Sequence, residues 1–311
     1  MKAVYFFCES LDKDPVAYHV YKECQRLYAL KPSEKKLDGL DAWESNDNEG
    51  NSFHFVLTKD TLSHEFDRHL ETLNSLFPAG EFDFAGIVNW HGGNNTPDNI
   101  FCFHGVGHPA SGEFALSHSQ YLFNIGDSIT NEVVKEGMNQ DWRVLPEATH
   151  YSGIPYGCAP EKVKLWGVPQ ADIEIGSSAS AWSNPQAATV LAKSLGCVFD
   201  TKKQSVSALF VGGIHFEPTL KNLMFTDQDG TQPYMFAHAL TYPWIVENTV
   251  EDEHLENEFS SRISSAVQSI VPKPTVIVFH DKSKAVLKNA AKRTALEHGM
   301  DCVNHKSLKK N

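Results

Sequence analysis

The sequence predicts an α/β protein with a three-layer αβα arrangement, in which helices cover both faces of a mixed, mainly parallel central sheet. Strand-like and helix-like segments alternate along most of the chain, as in sheets whose strands are connected by helices. Phe84 to Trp90 is apolar on nearly every residue, which indicates a strand with both faces covered. No repeat or convincing linker divides the 311 residues. We therefore expect a single α/β domain over residues 1–311.

In the amino-terminal half, a predicted strand at Val4 to Cys8 is followed by a helix at Pro15 to Tyr28. The helix has apolar residues at the spacing of one buried stripe. Asp38 to Asn51 is rich in acids, asparagine and glycine, a composition that predicts a loop. The other elements predicted in this half are a strand at Ser52 to Leu57, a helix at Leu62 to Leu76 and the strand at Phe84 to Trp90.

In the carboxyl-terminal half, Thr96 to Ser119 is rich in glycine, histidine and proline and has weak periodicity. We predict an irregular loop there, with His104 and His108 in solvent. The strands predicted in this half are Trp142 to Pro146, Ile173 to Ile175, Ser205 to Val211 and Thr275 to Phe279. The predicted helices are Ser119 to Gly137, Pro185 to Leu195, His238 to Glu247, His254 to Ile270 and Ser283 to Gly299.

Composition restricts the partners and the compartment. The net charge is −12, with 39 acidic against 27 basic residues, which argues against a general nucleic-acid binder because phosphate contacts need lysine and arginine. A local basic surface remains compatible with this charge, and the carboxyl-terminal lysines from Lys282 onward are the candidate for one. The six scattered cysteines, the lack of a secretion-signal pattern and the lack of an apolar run of membrane-spanning length predict a cytoplasmic protein without membrane segments.

Histidines and carboxylates carry the candidate chemistry, because the sequence has no GxSxG, Walker or GxGxxG motif. His91, His150 and His215 each follow a strand-like run, so we expect their rings to converge at the carboxyl ends of the strands. Such a cluster could hold Zn²⁺ with an open position, or could act as a metal-free general base. The N–H groups of Gly212 and Gly213 could stabilise an oxyanion.

Several motifs occur in a fixed order, namely VNWHGGN (Val88 to Asn94), EATH, DIEIGSSASAW, VGGIHFEP and YMFAHALTYP. In this order they resemble the type-2 D-aminoacyl-tRNA deacylases, the archaeal- and plant-type family, over nearly the whole chain. The resemblance implies a phosphorylase/hydrolase-like fold and cleavage of the ester between a D-amino acid and the tRNA acceptor end. The catalytic residues that it implies are His150, His215, Glu147 and Glu174. We further expect Gly212, Gly213, Tyr151, His91 and Asn94 to bind the substrate, and His91, His150 and His215 are the candidate zinc ligands.

The chain departs from the family pattern at three positions. Tyr151 replaces a second histidine, Phe216 replaces a tyrosine, and Glu217 replaces an alanine. Two further functions therefore stay open beside metal-assisted deacylation. One is a zinc-dependent amidohydrolase or peptidase that acts on a small acyl substrate, and the other is a binding homologue that has kept the fold and lost the reaction.

Overall fold

The computed structural model describes residues 1–93, 96–225, 232–247 and 254–308. The strands of these ranges, in chain order, are β1 (Lys2–Cys8), β2 (Lys31–Leu37), β3 (Leu40–Asn46), β4 (Ser52–Thr58), β5 (Phe84–His91), β6 (Asn99–Gly105), β7 (Gly107–His108), β8 (Glu113–Phe114), β9 (Ser117–His118), β10 (Arg143–Pro146), β11 (Gln170–Ser177), β12 (Val206–Val211), β13 (Tyr234–Leu240), β14 (Ile270–Val271), β15 (Val276–Phe279) and β16 (Asp301–Asn304). The α-helices are α1 (Pro15–Leu27), α2 (Phe66–Leu76), α3 (Ser119–Lys135), α4 (Ala179–Trp182), α5 (Pro185–Leu195), α6 (Pro218–Phe225), α7 (Tyr242–Ile245), α8 (Leu255–Gln268) and α9 (Ala285–His298).

Two sheets organise the described residues. The larger has eight strands in the order β10-β6-β11-β5-β1-β4-β3-β2, and the smaller has four in the order β13-β12-β15-β16. In the larger sheet the central strands β11, β5, β1 and β4 are parallel, while β6 and β3 run antiparallel to their inner neighbours. All strands of the smaller sheet are parallel. The predicted mixed, mainly parallel sheet is confirmed.

Both faces of the central strands of the larger sheet are buried, as continuous apolar strands require. On one face Tyr5 and Phe7 pack with residues of α1, α3 and α5 in a cluster that continues into the smaller sheet through Phe210. On the other face Val4 and Phe6 pack with residues of α2. The far side of the smaller sheet packs against α8 and α9. None of the helices in the described ranges is both long enough and apolar enough to cross a membrane.

Three sequence predictions about elements are wrong. Half of the predicted loop from Asp38 to Asn51 is strand β3, which pairs with β2 through a turn at Asp38 and Gly39, both with positive φ. The predicted loop from Thr96 to Ser119 contains β6, an inner strand of the large sheet. His238 lies in β13, and the helix predicted around it begins only at Tyr242.

The strand β6 escaped prediction because its composition hides its alternation. Ile100, Cys102 and His104 occupy alternate positions of the strand, as do Phe101 and Phe103 between them, which is the two-residue period of a strand. His104 is only 2% exposed, so its predicted position in solvent is wrong as well.

Asp14 caps α1 from a buried position and provides a test of the local fold. Its carboxylate accepts hydrogen bonds from the Ala17 N–H at 2.9 Å and from the Thr61 hydroxyl at 3.0 Å. Burial raises the pKa of Asp14 to about 7, so the charged form costs stability that the hydrogen bonds offset only in part.

We predict that Asp14→Ala lowers the free energy of unfolding by about 1 kcal/mol, the usual effect of losing an N-cap oxygen. Asp14→Asn should be at least as stable as the wild type at pH 8, because the amide keeps the cap oxygen without the buried charge. Urea unfolding at pH 8 measures both variants. An asparagine variant as unstable as the alanine variant would contradict this account.

Candidate active site

One face of the large sheet carries a group of polar and titratable side chains. The strands β5, β11 and β6 are neighbours, and the two-residue period of a strand places alternate residues on the same face. Glu174 in β11 pairs with Asn89 in β5 and with Cys102 in β6. The residues of this polar face are Asn89, His91, Cys102, His104, Asp172 and Glu174, and the structure buries all of them.

The segment from Glu147 to His150, which follows β10, lies between the two sheets and is hydrogen-bonded to both. Its backbone bonds with the larger sheet and the segment after it are Glu147 N–H to Phe103 O (3.2 Å) and Gly107 N–H to His150 O (3.1 Å). Its backbone bonds with the smaller sheet and its loop are Ala148 N–H to His215 O (3.0 Å) and Thr149 N–H to Ala239 O (2.9 Å). This segment therefore brings the loop after β12, with His215, to the polar face.

The Glu147 carboxylate lies at the centre of the site. Its Oε1 atom is 2.6 Å from His215 Nε2, 3.4 Å from His91 Nε2 and 3.7 Å from His150 Nδ1. The side chain is fully buried, which by itself raises the pKa of Glu147, but the N–H groups of His215 and His91 and the charge of His104 hold this pKa well below its usual range. The site thus contains an ionised carboxylate out of contact with solvent.

A hydrogen bond from Trp244 determines the tautomer of the His215 ring. The Trp244 indole N–H donates to His215 Nδ1 at 2.9 Å. An indole N–H can only donate, so Nδ1 is the acceptor and the proton of the neutral ring lies on Nε2. His215 therefore directs an N–H toward Glu147 and has no lone pair on that nitrogen for a metal ion.

His150 has the opposite tautomer. Its Nδ1 lies 2.9 Å from the Ala148 carbonyl oxygen, which can only accept, so Nδ1 carries the proton and Nε2 has the free lone pair. The ring stacks on His104 at 4.0 Å and on Trp244 at 5.2 Å. Burial, followed by the charge of His104, lowers the pKa of His150 to about 3, so the ring stays neutral at physiological pH.

His104 is a buried cation below His150. Burial lowers its pKa, but the nearby carboxylates of Glu174, Glu147 and Asp172 outweigh this effect and raise the pKa to about 10. His104 Nε2 lies 3.6 Å from Glu174 Oε1 and 3.7 Å from Asp172 Oδ2. His104 and Asp172 were not among the site residues predicted from the sequence. Their signal is the pair of polar residues two positions apart, His104 with Cys102 and Asp172 with Glu174, on strands that are otherwise apolar.

His91 is held by hydrogen bonds at its side chain and its backbone. Its Nδ1 lies 2.8 Å from the Ser177 hydroxyl, and its carbonyl accepts from the Trp182 indole at 2.9 Å. A Cβ atom on the neighbouring Gly176 would come within 2.6 Å of the Cβ atom of His91. Glycine in the EIGS motif therefore allows β11 to approach His91 closely.

A cavity of about 710 Å³ lies beside these groups and opens to solvent. Glu147, Glu174, His91, His150 and His215 lie along its wall. Aromatic rings contribute much of the remaining wall, including Trp90, Tyr156, Phe216 and Trp244. Within the described ranges, no lysine or arginine lines the cavity. The cavity therefore suits a ligand portion that has flat, apolar parts and no negative charge.

The structure brings together five of the predicted site residues, which are His91, Glu147, His150, Glu174 and His215. It does not bring Tyr151, Gly212 or Gly213 to the cavity wall. Tyr151 is 3% exposed and packs against Phe66 in the core cluster that also contains Val4 and Phe6. The Gly212 N–H donates to the Leu240 carbonyl at 2.9 Å, so it is not free to bind an oxyanion. Asn94 lies outside the described residues.

The family departure at Glu217 has a structural role in the loop that carries His215. Its carboxylate accepts from the Ile214 N–H at 3.4 Å and from the Thr219 N–H at 3.2 Å. A Cβ atom on Gly213 would lie 2.6 Å from this carboxylate. Gly213 therefore gives space to Glu217 rather than to a ligand, and Glu217 stabilises the loop next to the cavity.

An α/β protein with a buried carboxylate and several imidazoles beside an open cavity has the components of a hydrolytic site. The sequence model of the D-aminoacyl-tRNA deacylase family matches residues 79–303. The chain belongs to this family. The family resemblance seen in the sequence is confirmed. No curated protein matches the chain in a sequence search.

One solved structure has a similar fold over the whole chain. An archaeal conserved protein of unknown function is 19% identical, with a TM-score of 0.77, and the match covers 100% of this chain and 97% of that one. The futalosine hydrolase of Helicobacter pylori is 11% identical, with a TM-score of 0.40, and the match covers 64% of this chain and 98% of that one. The first likeness supports the α/β architecture, and the second is too weak to carry an argument.

We predict that Trp244→Phe releases the tautomer of His215, because phenylalanine keeps an aromatic ring beside His150 but has no N–H donor. Nitrogen chemical shifts of the histidine rings in ¹⁵N NMR spectra distinguish the two tautomers. The wild type should show the proton on His215 Nε2, and the variant should show a mixture. Trp182→Phe is the matched control, since its indole donates to the backbone of His91. Equal His215 shifts in the wild type and Trp244→Phe would contradict the assignment.

Proposed function

We propose that this chain hydrolyses the ester bond between a D-amino acid and the terminal ribose of tRNA. Membership of the D-aminoacyl-tRNA deacylase family supports the reaction. The observation that carries the proposal is the buried, ionised Glu147 with three imidazoles around it at the wall of an open cavity. An ester is an activated acyl group and requires a water, a proton acceptor and stabilisation of the oxyanion.

His150 is the proton acceptor in this proposal. Its Nε2 lone pair is free because Nδ1 donates to the Ala148 carbonyl. As the proton of the attacking water moves to Nε2, the ring becomes positive, and the Glu147 carboxylate 3.7 Å from Nδ1 stabilises that charge.

His215 is the donor to the oxyanion. Its proton lies on Nε2, and its ring lines the cavity. In the free protein this N–H faces Glu147. In the transition state it can also donate a hydrogen bond to the substrate carbonyl oxygen, which gains negative charge. This assignment replaces the one made from the sequence, which gave the role to Gly212 and Gly213.

The donor groups beside Glu147 are also of the kind that binds zinc. Ligand atoms of His91, Cys102, Glu147 and Glu174 lie within 4.8 Å of one another, and all four residues are buried. Neither Glu147 oxygen accepts a well-aligned hydrogen bond from the described residues, so the carboxylate has capacity for a cation. His91, Glu147 and Glu174 would hold Zn²⁺, which supplies a bound water with a pKa of about 7.

This ligand set differs from the predicted His91, His150 and His215. His215 Nε2 carries a proton because Trp244 occupies Nδ1, so His215 does not fit a metal in this arrangement.

We predict that Glu147→Gln, His150→Ala and His215→Ala each lower kcat/KM for D-aminoacyl-tRNA by about 10²- to 10⁴-fold, the usual contribution of a general base or an oxyanion donor. His108→Ala is the control, because His108 lies on β7 outside the cavity wall. Deacylation of matched D- and L-aminoacyl-tRNA measures the rates, and thermal unfolding verifies the fold.

Two results would contradict the proposed function. Equal wild-type rates on the D- and L-esters would favour an amidohydrolase or peptidase that acts on small acyl substrates. No deacylation after zinc is supplied would favour a binding homologue without activity.

For the metal, we predict that Glu147→Gln and His91→Ala each lower zinc affinity at least tenfold, because each removes one ligand from the site. His215→Ala should bind zinc as the wild type does. Titration with zinc in competition with a chromogenic chelator gives the affinities independently of activity. His280→Ala is the control for a second group of possible ligands, His280, Asp281 and His305. Loss of zinc in the His280 variant alone would place the metal in that second group.

A further inference from the structure

The small parallel sheet places three segments at the same edge. Because β12, β15 and β16 are parallel neighbours, the residues that follow each strand emerge on the same side. The segment after β12 contains His215 and reaches the cavity. The segment after β15 begins at His280, and the segment after β16 begins at His305. The carboxyl-terminal lysines singled out in the sequence therefore approach the candidate active site.

Direct contacts connect these segments. The His280 N–H donates to the Val211 carbonyl at 2.9 Å, and His280 Nε2 lies 3.8 Å from the carboxylate of Glu217, which stabilises the loop of His215. The Ser283 hydroxyl fills the space beside Gly212 in which a Cβ atom would lie.

The Lys284 side chain contacts the helix α7. Its Nζ atom lies 5.4 Å from the centre of the Tyr242 ring. Tyr242 begins the short helix α7, which also carries Trp244, and Trp244 lines the cavity. Lys284 thus contacts the helix that supplies Trp244 to the cavity wall, and Lys282, two residues before it, is exposed.

The charge of this region is opposite to that of the whole chain. Residues 279–308 contain more basic than acidic side chains, whereas the full sequence has 27 basic and 39 acidic ones. The basic residues of the region are Lys282, Lys284, Lys288, Lys292, Arg293 and Lys306, and the acidic ones are Asp281, Glu297 and Asp301.

Two lysines contact Asp281, the acidic residue that follows β15 at this edge of the small sheet. Lys306 Nζ is 2.5 Å from Asp281 Oδ2, and Lys288 Nζ donates to the Asp281 backbone carbonyl at 2.6 Å. Asp281 is therefore neutralised within the region, and the edge presents a net positive surface formed by Lys282, Lys284, Lys288 and Lys306. We call these four residues the basic edge.

We propose that the basic edge binds phosphate groups of the tRNA acceptor strand while the terminal ester enters the cavity. This inference rests on the proposed function. The cavity itself offers no cation for a phosphate, since no described lining residue is a lysine or arginine. A ligand with several phosphates needs cations outside the cavity, and in an otherwise acidic protein such a surface also orients the approaching tRNA.

The experiment compares two double variants of the whole protein. Lys282→Glu/Lys284→Glu reverses two charges of the basic edge, and Lys31→Glu/Lys36→Glu reverses two exposed charges on β2, the edge strand at the far side of the large sheet. Fluorescence anisotropy with uncharged tRNA measures binding at several salt concentrations. Kinetics with D-aminoacyl-tRNA and with D-aminoacyl-adenosine, which has the ester but no phosphodiester, measure hydrolysis. Thermal unfolding confirms that both variants are folded, and Lys282→Gln/Lys284→Gln is the milder alternative.

We expect the basic-edge variant to bind tRNA at least tenfold more weakly than the wild type at low salt. The slope of log affinity against log salt concentration should fall by about 2, or about one for each phosphate contact. Its loss in kcat/KM should be at least tenfold larger for D-aminoacyl-tRNA than for D-aminoacyl-adenosine. The β2 variant should bind tRNA within about twofold of the wild type.

The two proposals fail in different ways. Equal tRNA affinities and salt slopes for the basic-edge and β2 variants would overturn the basic edge, whatever the activity. Wild-type protein that hydrolyses neither ester would overturn the proposed deacylase function, while loss of tRNA binding in the basic-edge variant alone would still support the surface.

Discussion

The ionised carboxylate of Glu147 is the constraint on which the site depends. A buried charge is costly unless it is paired, and removal of one partner leaves the other charge uncompensated. The three imidazoles around Glu147 come from three parts of the chain, namely the end of β5, the segment after β10 and the loop after β12. The charge is therefore stabilised only when both sheets are docked, so the stability of the fold and the geometry of the site are coupled.

The docking of the two sheets depends on residues without side chains at the points of closest approach. A Cβ atom on Gly105, at the end of β6, would clash with the Ala237 carbonyl of β13. A Cβ atom on Gly126 in α3 would lie 2.5 Å from the Phe103 ring and 2.7 Å from the Phe225 ring. The first contact limits the distance between β6 and β13, and the second lets α3 pack closely on β6 and α6. The segment from Glu147 to His150 is hydrogen-bonded to both sheets.

Charge is distributed unevenly around the site. Buried carboxylates, imidazoles and aromatic rings form the wall of the cavity, and lysines lie at the neighbouring edge of the small sheet. This separation combines a buried group of charges with a basic surface in one acidic chain, and buried charges are screened much less than exposed ones.

The sequence by itself determined the α/β class, the family and the segments that supply His91, Glu147, His150, Glu174 and His215. These features depend on local patterns of apolar residues and on motif order, which are visible without the fold. Tyr151 and Gly212 were assigned to the cavity from motif position, but the direction of a side chain or an N–H depends on strand register and on neighbouring strands. His104 and Asp172 became visible only when β6 and β11 paired, and the tautomer of His215 only when Trp244 reached its ring. Contacts between residues distant in the sequence decided these features. The protonation and the orientation of a side chain depend on the atoms that it contacts, and those atoms are known only once the chain is folded.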